Sequence, residues 1–247
     1  MRCLVFGAAL LAGCGTTLAA DGAEFNAIGY SPDSRYFAFE QYGIQDGSGF
    51  PYWQVFVIDL QENEWVKGGP VRVVLEDEQA KLSAARDKAR SQAQALLTEM
   101  SITELTVILA ANPATEAAAD PSRITFDRWY SSMGARPAPI ESVVARHELV
   151  VGTLKLPDPA GCYPEDGPYL GFTLTLKDVK LGTAHPIHED KAIPASRGCP
   201  LGYDIAAVVA PSGYPDSERL VAIVGVYARG FEGADHRFIA VPFTLSD

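Results

Sequence analysis

Basic residues are scarce in this chain. Its 20 Lys and Arg stand against 31 Asp and Glu, a net charge of −11, and no run of five or more basic residues occurs anywhere. Nucleic-acid backbones are held by clustered Lys and Arg, so nucleic acid is not expected as a partner, and the surplus acid reads as a solvated surface. Long apolar runs are also missing; none approaches the roughly 18 residues of a membrane-spanning helix. There is no Cys-x-x-Cys, which removes the usual thiol-redox and zinc frameworks. No Gly-x-Ser-x-Gly elbow occurs, because Asp46 stands where its first glycine would be in Asp46-Gly47-Ser48-Gly49. That stretch also has too few acidic oxygens for a calcium loop. No glycine-rich phosphate loop precedes a helix, and no Cys/His pair has an orienting partner.

What is present is an ordinary globular composition, 47% hydrophobic and 21% charged over 247 residues. That is enough for one all-β or mixed domain. The chain opens with an export signal over residues 1–20. Arg2 supplies the positive charge and Leu4–Leu11 the short apolar run. Two cleavage sites compete. Leu11-Ala12-Gly13-Cys14 is a full lipobox, which would place a lipid on Cys14; ordinary signal peptidase would instead cut near Ala19 or Ala20.

Cys162 and Cys199 remain in the body of the chain, each in a turn-rich setting, Gly161-Cys162-Tyr163-Pro164 and Gly198-Cys199-Pro200. An even count in an oxidising compartment predicts a disulfide between them.

From Arg35 onward, β-rich runs alternate with turn signals. Strands are expected at Arg35–Tyr42, Trp53–Leu60, Pro70–Leu75, Arg123–Ser131, Ser142–Leu156, Tyr169–Lys180, Tyr203–Ala210, Glu218–Tyr227 and Arg237–Leu245. One segment differs. Asp77–Met100 lacks Gly and Pro, opens with acids, and repeats Leu82, Ala85, Ala89, Ala93, Leu96 and Met100 at helical spacing. It predicts one long helix packed on a sheet.

Ser31-Pro32-Asp33-Ser34 leads into the apolar run Tyr36–Phe39, and the next run ends in Ile58-Asp59-Leu60. This hairpin resembles the start of a TolB-like propeller blade, with Ser34 where such turns carry Gly. Gly213-Tyr214-Pro215-Asp216-Ser217-Glu218 gives a faint echo of it.

The densest cluster of reactive side chains is His185-Pro186-Ile187-His188-Glu189-Asp190. Two imidazoles and two carboxylates are metal-ligand and acid–base chemistry. The spacing opposes it: Pro186 prevents a continuous helix, and residues three apart in extended chain point to opposite faces. A structural loop, with Arg197 paired to Glu189 or Asp190, is the plainer expectation. His147 and His236 stand alone and read as surface or hydrogen-bonded histidines. Phe50, Tyr52 and Trp53, at the end of the aromatic-rich first hairpin, suit either a sugar or peptide groove or simple packing.

Five stretches carry one resemblance: Tyr36–Gly43 with Asp46–Tyr52, Pro70–Val73 with Glu76–Glu78, His188–Asp190 with Ile193–Arg197, Cys199–Tyr203, and Gly230–Gly233 with Arg237-Phe238. Taken together, they resemble a family of predicted secreted bacterial proteins, domain of unknown function 2259. The resemblance spans nearly the whole mature chain. It implies export and assigns no activity.

The expectation is therefore a single exported domain over 21–247, mainly β (mixed α+β) and antiparallel, with propeller-blade-like hairpins, one long helix near 77–100 and a Cys162–Cys199 bridge. Its expected role is a non-catalytic binding or interaction module of the cell envelope, in the periplasm or lipid-anchored to the outer membrane. It would meet an envelope protein or a small ligand through Asp46–Trp53 and the loop His185–Arg197, with no cofactor and no catalytic residue. The alternative is a metal-assisted hydrolase using His185, His188 and Glu189.

Overall fold

The first hairpin is set by side chains at its entry turn. Ser31 Oγ donates to Asp33 Oδ1 at 2.6 Å and accepts the Tyr36 amide at 2.9 Å, while Asp33 Oδ1 also takes the Arg35 amide at 3.1 Å. Ser34 adopts φ +55°, the left-handed region that glycine fills without steric cost. Arg35 then closes the far end of the hairpin, bonding Asp59 Oδ2 through Nε at 3.0 Å and Nη2 at 2.7 Å. Asp59 Oδ1 caps the Gln61 amide at 3.0 Å, so the Asp-Leu strand end is a second turn-setting device.

The computed structural model describes residues 20–113, 116, 118–128, 145–163, 165, 167–212 and 219–245. The leader with Cys14, the Gly213–Glu218 echo, and the expected strand ends Trp129–Ser131 and Ser142–Val144 lie outside them. The elements are β1 (Glu24–Tyr30), β2 (Tyr36–Ile44), β3 (Pro51–Asp59), β4 (Glu64–Trp65), β5 (Val71–Val74), α1 (Leu82–Glu99), β6 (Thr106–Ala111), β7 (Arg123–Arg128), β8 (Ala145–Lys155), β9 (Leu170–Asp178), β10 (Thr183–Glu189), β11 (Pro200–Pro211), β12 (Arg219–Arg229) and β13 (Ala234–Thr244).

They form three antiparallel sheets. The first runs β1-β2-β3-β4, with β5 also on β3; the second runs β13-β12-β11-β6; the third runs β10-β9-β8-β7. The second sheet is the central layer. From β12, Leu220, Ala222 and Val224 pack with Leu149, Phe172 and Leu174 of the third sheet. Val221 and Ile223, the alternate positions, pack with Tyr30, Phe37, Phe39 and Phe56 of the first. A strand covered on both faces needs apolar residues on both, hence the unbroken run Leu220–Val226.

The helix covers the outer face of the first sheet. Ala85, Ala89 and Ala93 bring it close to Trp53, Val55 and Val73. Small side chains along this stripe permit the close approach, and one polar bridge fixes its register. Glu40, 1% exposed, accepts Arg90 Nε at 3.0 Å and Nη2 at 2.5 Å, Trp53 Nε1 at 2.8 Å and Asn26 Nδ2 at 2.8 Å. Burial pushes this carboxyl up, but the bonds from Arg90, Trp53 and Asn26 outweigh it and hold it below the usual carboxylate range.

Three expectations need correction. The helix begins at Leu82 rather than Asp77, because Asp77 Oδ1 takes the Gln79 amide at 2.9 Å and folds residues 77–80 into a turn. Strands β1, β4 and β6 were not foreseen. The supposed loop His185–Arg197 starts as edge strand β10, with a bulge after Pro186 where the missing amide breaks the ladder. The expected antiparallel β-rich architecture is present; among the described residues the sheets stack face to face and none closes, so the blade-like first hairpin is not part of a propeller.

Candidate functional site

Strand β13 is the outer strand of the central sheet, and an unpaired strand edge invites another chain. Here the edge is already occupied. The His236 amide donates to Asp21 O at 3.0 Å, the Ala23 amide to His236 O at 2.9 Å, and the Phe238 amide to Gln41 Oε1 at 2.8 Å. Pro242, on the same side two places beyond Ala240, has no amide to offer. Strand addition is thus hindered along most of this edge, and what the edge presents is a cleft floored by side chains.

The cleft runs along β13 between the first and third sheets. A chamber of about 580 Å³ is walled by Phe39 and Phe56 on one side and by Phe172, His188 and Arg197 on the other. It shares Phe56, Trp65, Arg197 and Phe238 with a smaller chamber of about 200 Å³. Trp65, carried by the two-residue strand β4, is 40% exposed. Arg72 on β5 stacks over its ring at 5.3 Å from the centroid, and over Phe56 at 6.0 Å.

Three arginines, Arg72, Arg197 and Arg237, line the smaller chamber, and no carboxylate does. Their surroundings differ. Arg237 bonds Asp21 Oδ2 at 2.5 Å and Asp21 O at 2.7 Å, and lies over the Tyr52 ring at 4.8 Å. Arg197 pairs with Asp190. Arg72 has no ion pair among the described residues.

Asp190 is the hub of the third sheet's wall. It is 5% exposed and accepts Arg197, the Phe172 amide at 2.8 Å and His188 Nε2 at 2.8 Å. Burial alone would raise its carboxyl, yet the His188 and Arg197 bonds, the Phe172 amide and the Arg197 charge hold it at about 2. Tyr203 extends the network, donating to Leu170 O at 2.8 Å.

Of the residues weighed for metal chemistry, His188 belongs to this network. His185 lines a separate cavity with Leu60 and Phe243, and Glu189 is exposed and paired with Lys191. Among the described residues no three His, Cys, Asp or Glu side chains gather as a metal site. Cys162 and Cys199 form the disulfide, 37 residues apart in sequence, and Cys199 fixes the chain two residues beyond Arg197. Tyr52 and Trp53 are buried, so of the aromatic trio only Phe50 stays partly exposed. The Asp46 turn meets the β12–β13 hairpin, where Asp46 Oδ2 accepts the Glu232 amide at 3.1 Å. His147 is buried against the Phe126 ring.

A second polar cluster lies on the opposite side of the central sheet's edge. Tyr227 donates to Asp204 Oδ2 at 2.7 Å, and Asp204 Oδ1 stands 3.5 Å from His236 Nε2, whose ring stacks on Tyr227. Burial raises the Asp204 carboxyl, but His236 and Tyr227 together pull it below its ordinary value. Gly225 makes the approach possible, since a Cβ there would overlap both Asp204 Oδ1 and His236 Nε2. The only sequence signal was that glycine within the apolar run Val221–Val226.

The cleft-forming segments all fall in one sequence match. A family model described as "Predicted secreted protein (DUF2259)" matches residues 38–244. No curated protein and no solved structure matches the chain.

Proposed function

The chain belongs to this family of predicted secreted proteins (DUF2259), and from that premise we propose a non-catalytic binding module of the bacterial envelope whose ligand occupies the cleft along β13. The observation that carries this reading is the exposed Trp65 ring beside the buried Phe56, with Arg72 over both, next to a wall whose ionisable groups are tied to each other. A general acid or base must be free to exchange a proton with substrate. Asp190, locked by Arg197, His188 and a backbone amide, instead shapes a rigid wall, which is what a binding site needs.

Among the described residues no helix is long and apolar enough to cross a membrane. In this proposal the mature protein is either soluble in the periplasm or held to the outer membrane by a lipid on Cys14. Fractionation of cells carrying Cys14→Ser separates the two, since a lipidated protein would leave the membrane fraction on this change.

The binding reading is tested by calorimetry of the mature protein against short envelope saccharides and peptides, followed by mass spectrometry of each mixture. The expected result is saturable binding, weakened by Trp65→Ala, with the ligand recovered intact. A chemically altered ligand would overturn the non-catalytic assignment.

A further inference from the structure

Granting the cleft as the binding site, we propose that its smaller chamber is an anion subsite for an acidic saccharide, with the sugar's carboxylate or phosphate held by Arg72, Arg197 and Arg237 and its ring on Trp65. The first argument is charge. A chain of net charge −11 gathers three arginines around about 200 Å³ with no acid in the lining. Arg197 and Arg237 each carry a buried carboxylate partner, Asp190 at 5% exposure and Asp21 at 5%. The uncompensated charge is therefore that of Arg72.

The second argument is geometry. The Arg72 side chain makes no hydrogen bond or ion pair with the described residues; its guanidinium lies over the rings of Trp65 and Phe56. Stacking holds a guanidinium plane while leaving its five N–H donors directed outward along its edges. A planar fork so presented is matched to carboxylate or phosphate oxygens, two bonds at a time. Arg197 and Arg237 are held from behind, so they add field and further donors without having to be reorganised.

The third argument is the remainder of the wall. Gln41 Nε2 donates to Gln54 Oε1 at 2.9 Å, and Gln41 Oε1 takes the Phe238 amide. The Gln54 amide nitrogen is left as a donor beside the arginines. An aromatic face for the apolar side of a ring, an amide for hydroxyls and an arginine fork for the acid group make a saccharide-acid site. An extended peptide would look for ladder hydrogen bonds on β13, where His236 and Phe238 are already bonded to Asp21, Ala23 and Gln41 and Pro242 has no amide to give. The adjoining chamber of about 580 Å³ has room for neighbouring sugar units.

The test is calorimetry of the mature protein with digalacturonate, neutral digalactose, glucose 1-phosphate and a Glu-containing dipeptide, at low and high salt. The acidic sugars are expected to bind at least about tenfold more tightly than digalactose, and more weakly as salt rises. The stronger of the two acids identifies the anion. Arg72→Met should remove most of that preference; Arg72→Lys should restore only part. Because Arg72 is exposed on a four-residue strand, an unchanged melting temperature will show that the variant folds. Equal affinity for digalacturonate and digalactose, both sensitive to Trp65→Ala, would overturn the anion subsite while leaving the binding module intact. Preference for the dipeptide would overturn the saccharide assignment, and no binding by any of the four would overturn both proposals.

Discussion

Replacing Arg90 by Met tests whether one buried ion pair holds the helix to its sheet. Arg90 is 40% exposed, whereas Glu40 is 1% exposed, so the loss is one-sided: the arginine surrenders little, but the carboxylate is stranded. Breaking a buried pair by removing one partner costs about 3–5 kcal/mol. Asn26 and Trp53 still donate to Glu40 after the change, which places the expected loss at or below the bottom of that range, about 2–3 kcal/mol near neutral pH. At roughly 2–4 °C per kcal/mol for a chain of this size, melting should fall by about 5–10 °C.

The sign with pH is also fixed. In the native protein the Glu40 carboxyl sits below its usual value, so the pair contributes fully above the unfolded pKa of about 4.3 and fades as pH falls through the lower native value. In Arg90→Met, burial acts with less opposition, the native carboxyl rises, and protonation relieves the stranded charge. Urea unfolding followed by circular dichroism at several pH values should therefore show a gap between the two proteins that is widest at neutrality and narrows into acid. A gap under about 0.5 kcal/mol at pH ~7, or one that does not change with pH, would refute the reasoning.

Other substitutions probe separate parts of the fold. Ser34→Gly relieves a left-handed serine and should raise stability by about 0.5–1 kcal/mol in the same assay, with no change in urea dependence. Gly225→Ala forces a methyl between Asp204 and His236 and should cost more than about 3 kcal/mol, whereas Gly161→Ala, whose Cβ would meet open space, should cost about 1 kcal/mol for its positive φ. Replacing Cys162 and Cys199 together by Ser opens a loop of 37 residues and should lower stability by about 3–4 kcal/mol; thermal melts that coincide with those of the oxidised protein would disprove it.

Where the sequence was readable, a local rule and the tertiary structure agreed. The strands β2, β3, β5, β9, β11, β12 and β13 and the helical stripe of alanines each bury a face whose period is visible in the residues themselves. β6 escaped notice because Leu105, Val107 and Ile108 are exposed on an edge, so their pattern does not record a core. β10 was hidden by Pro186, which an edge strand tolerates at the bulge where the ladder is interrupted. The cleft was harder still. Trp65 and Arg72 lie close together on the first sheet, but Arg197 comes far later in the chain and meets them only because the first and third sheets flank the same edge of the second. The Asp190–Arg197 pairing was legible, since the two lie seven residues apart; which of His185 and His188 would join it depended on the bulge between Pro186 and His188.

The central layer is built mostly from the last third of the chain, β11 to β13, with only β6 contributed earlier. Both flanking sheets are therefore translated before the surface that covers them exists. An N-terminal portion released alone would show two greasy faces with nothing to bury them, so productive folding has to wait for the segment from Pro200 onward. Such a polypeptide stays threadable until its synthesis is almost finished, a property that suits passage through a narrow translocation channel and makes late truncations far more damaging than early ones.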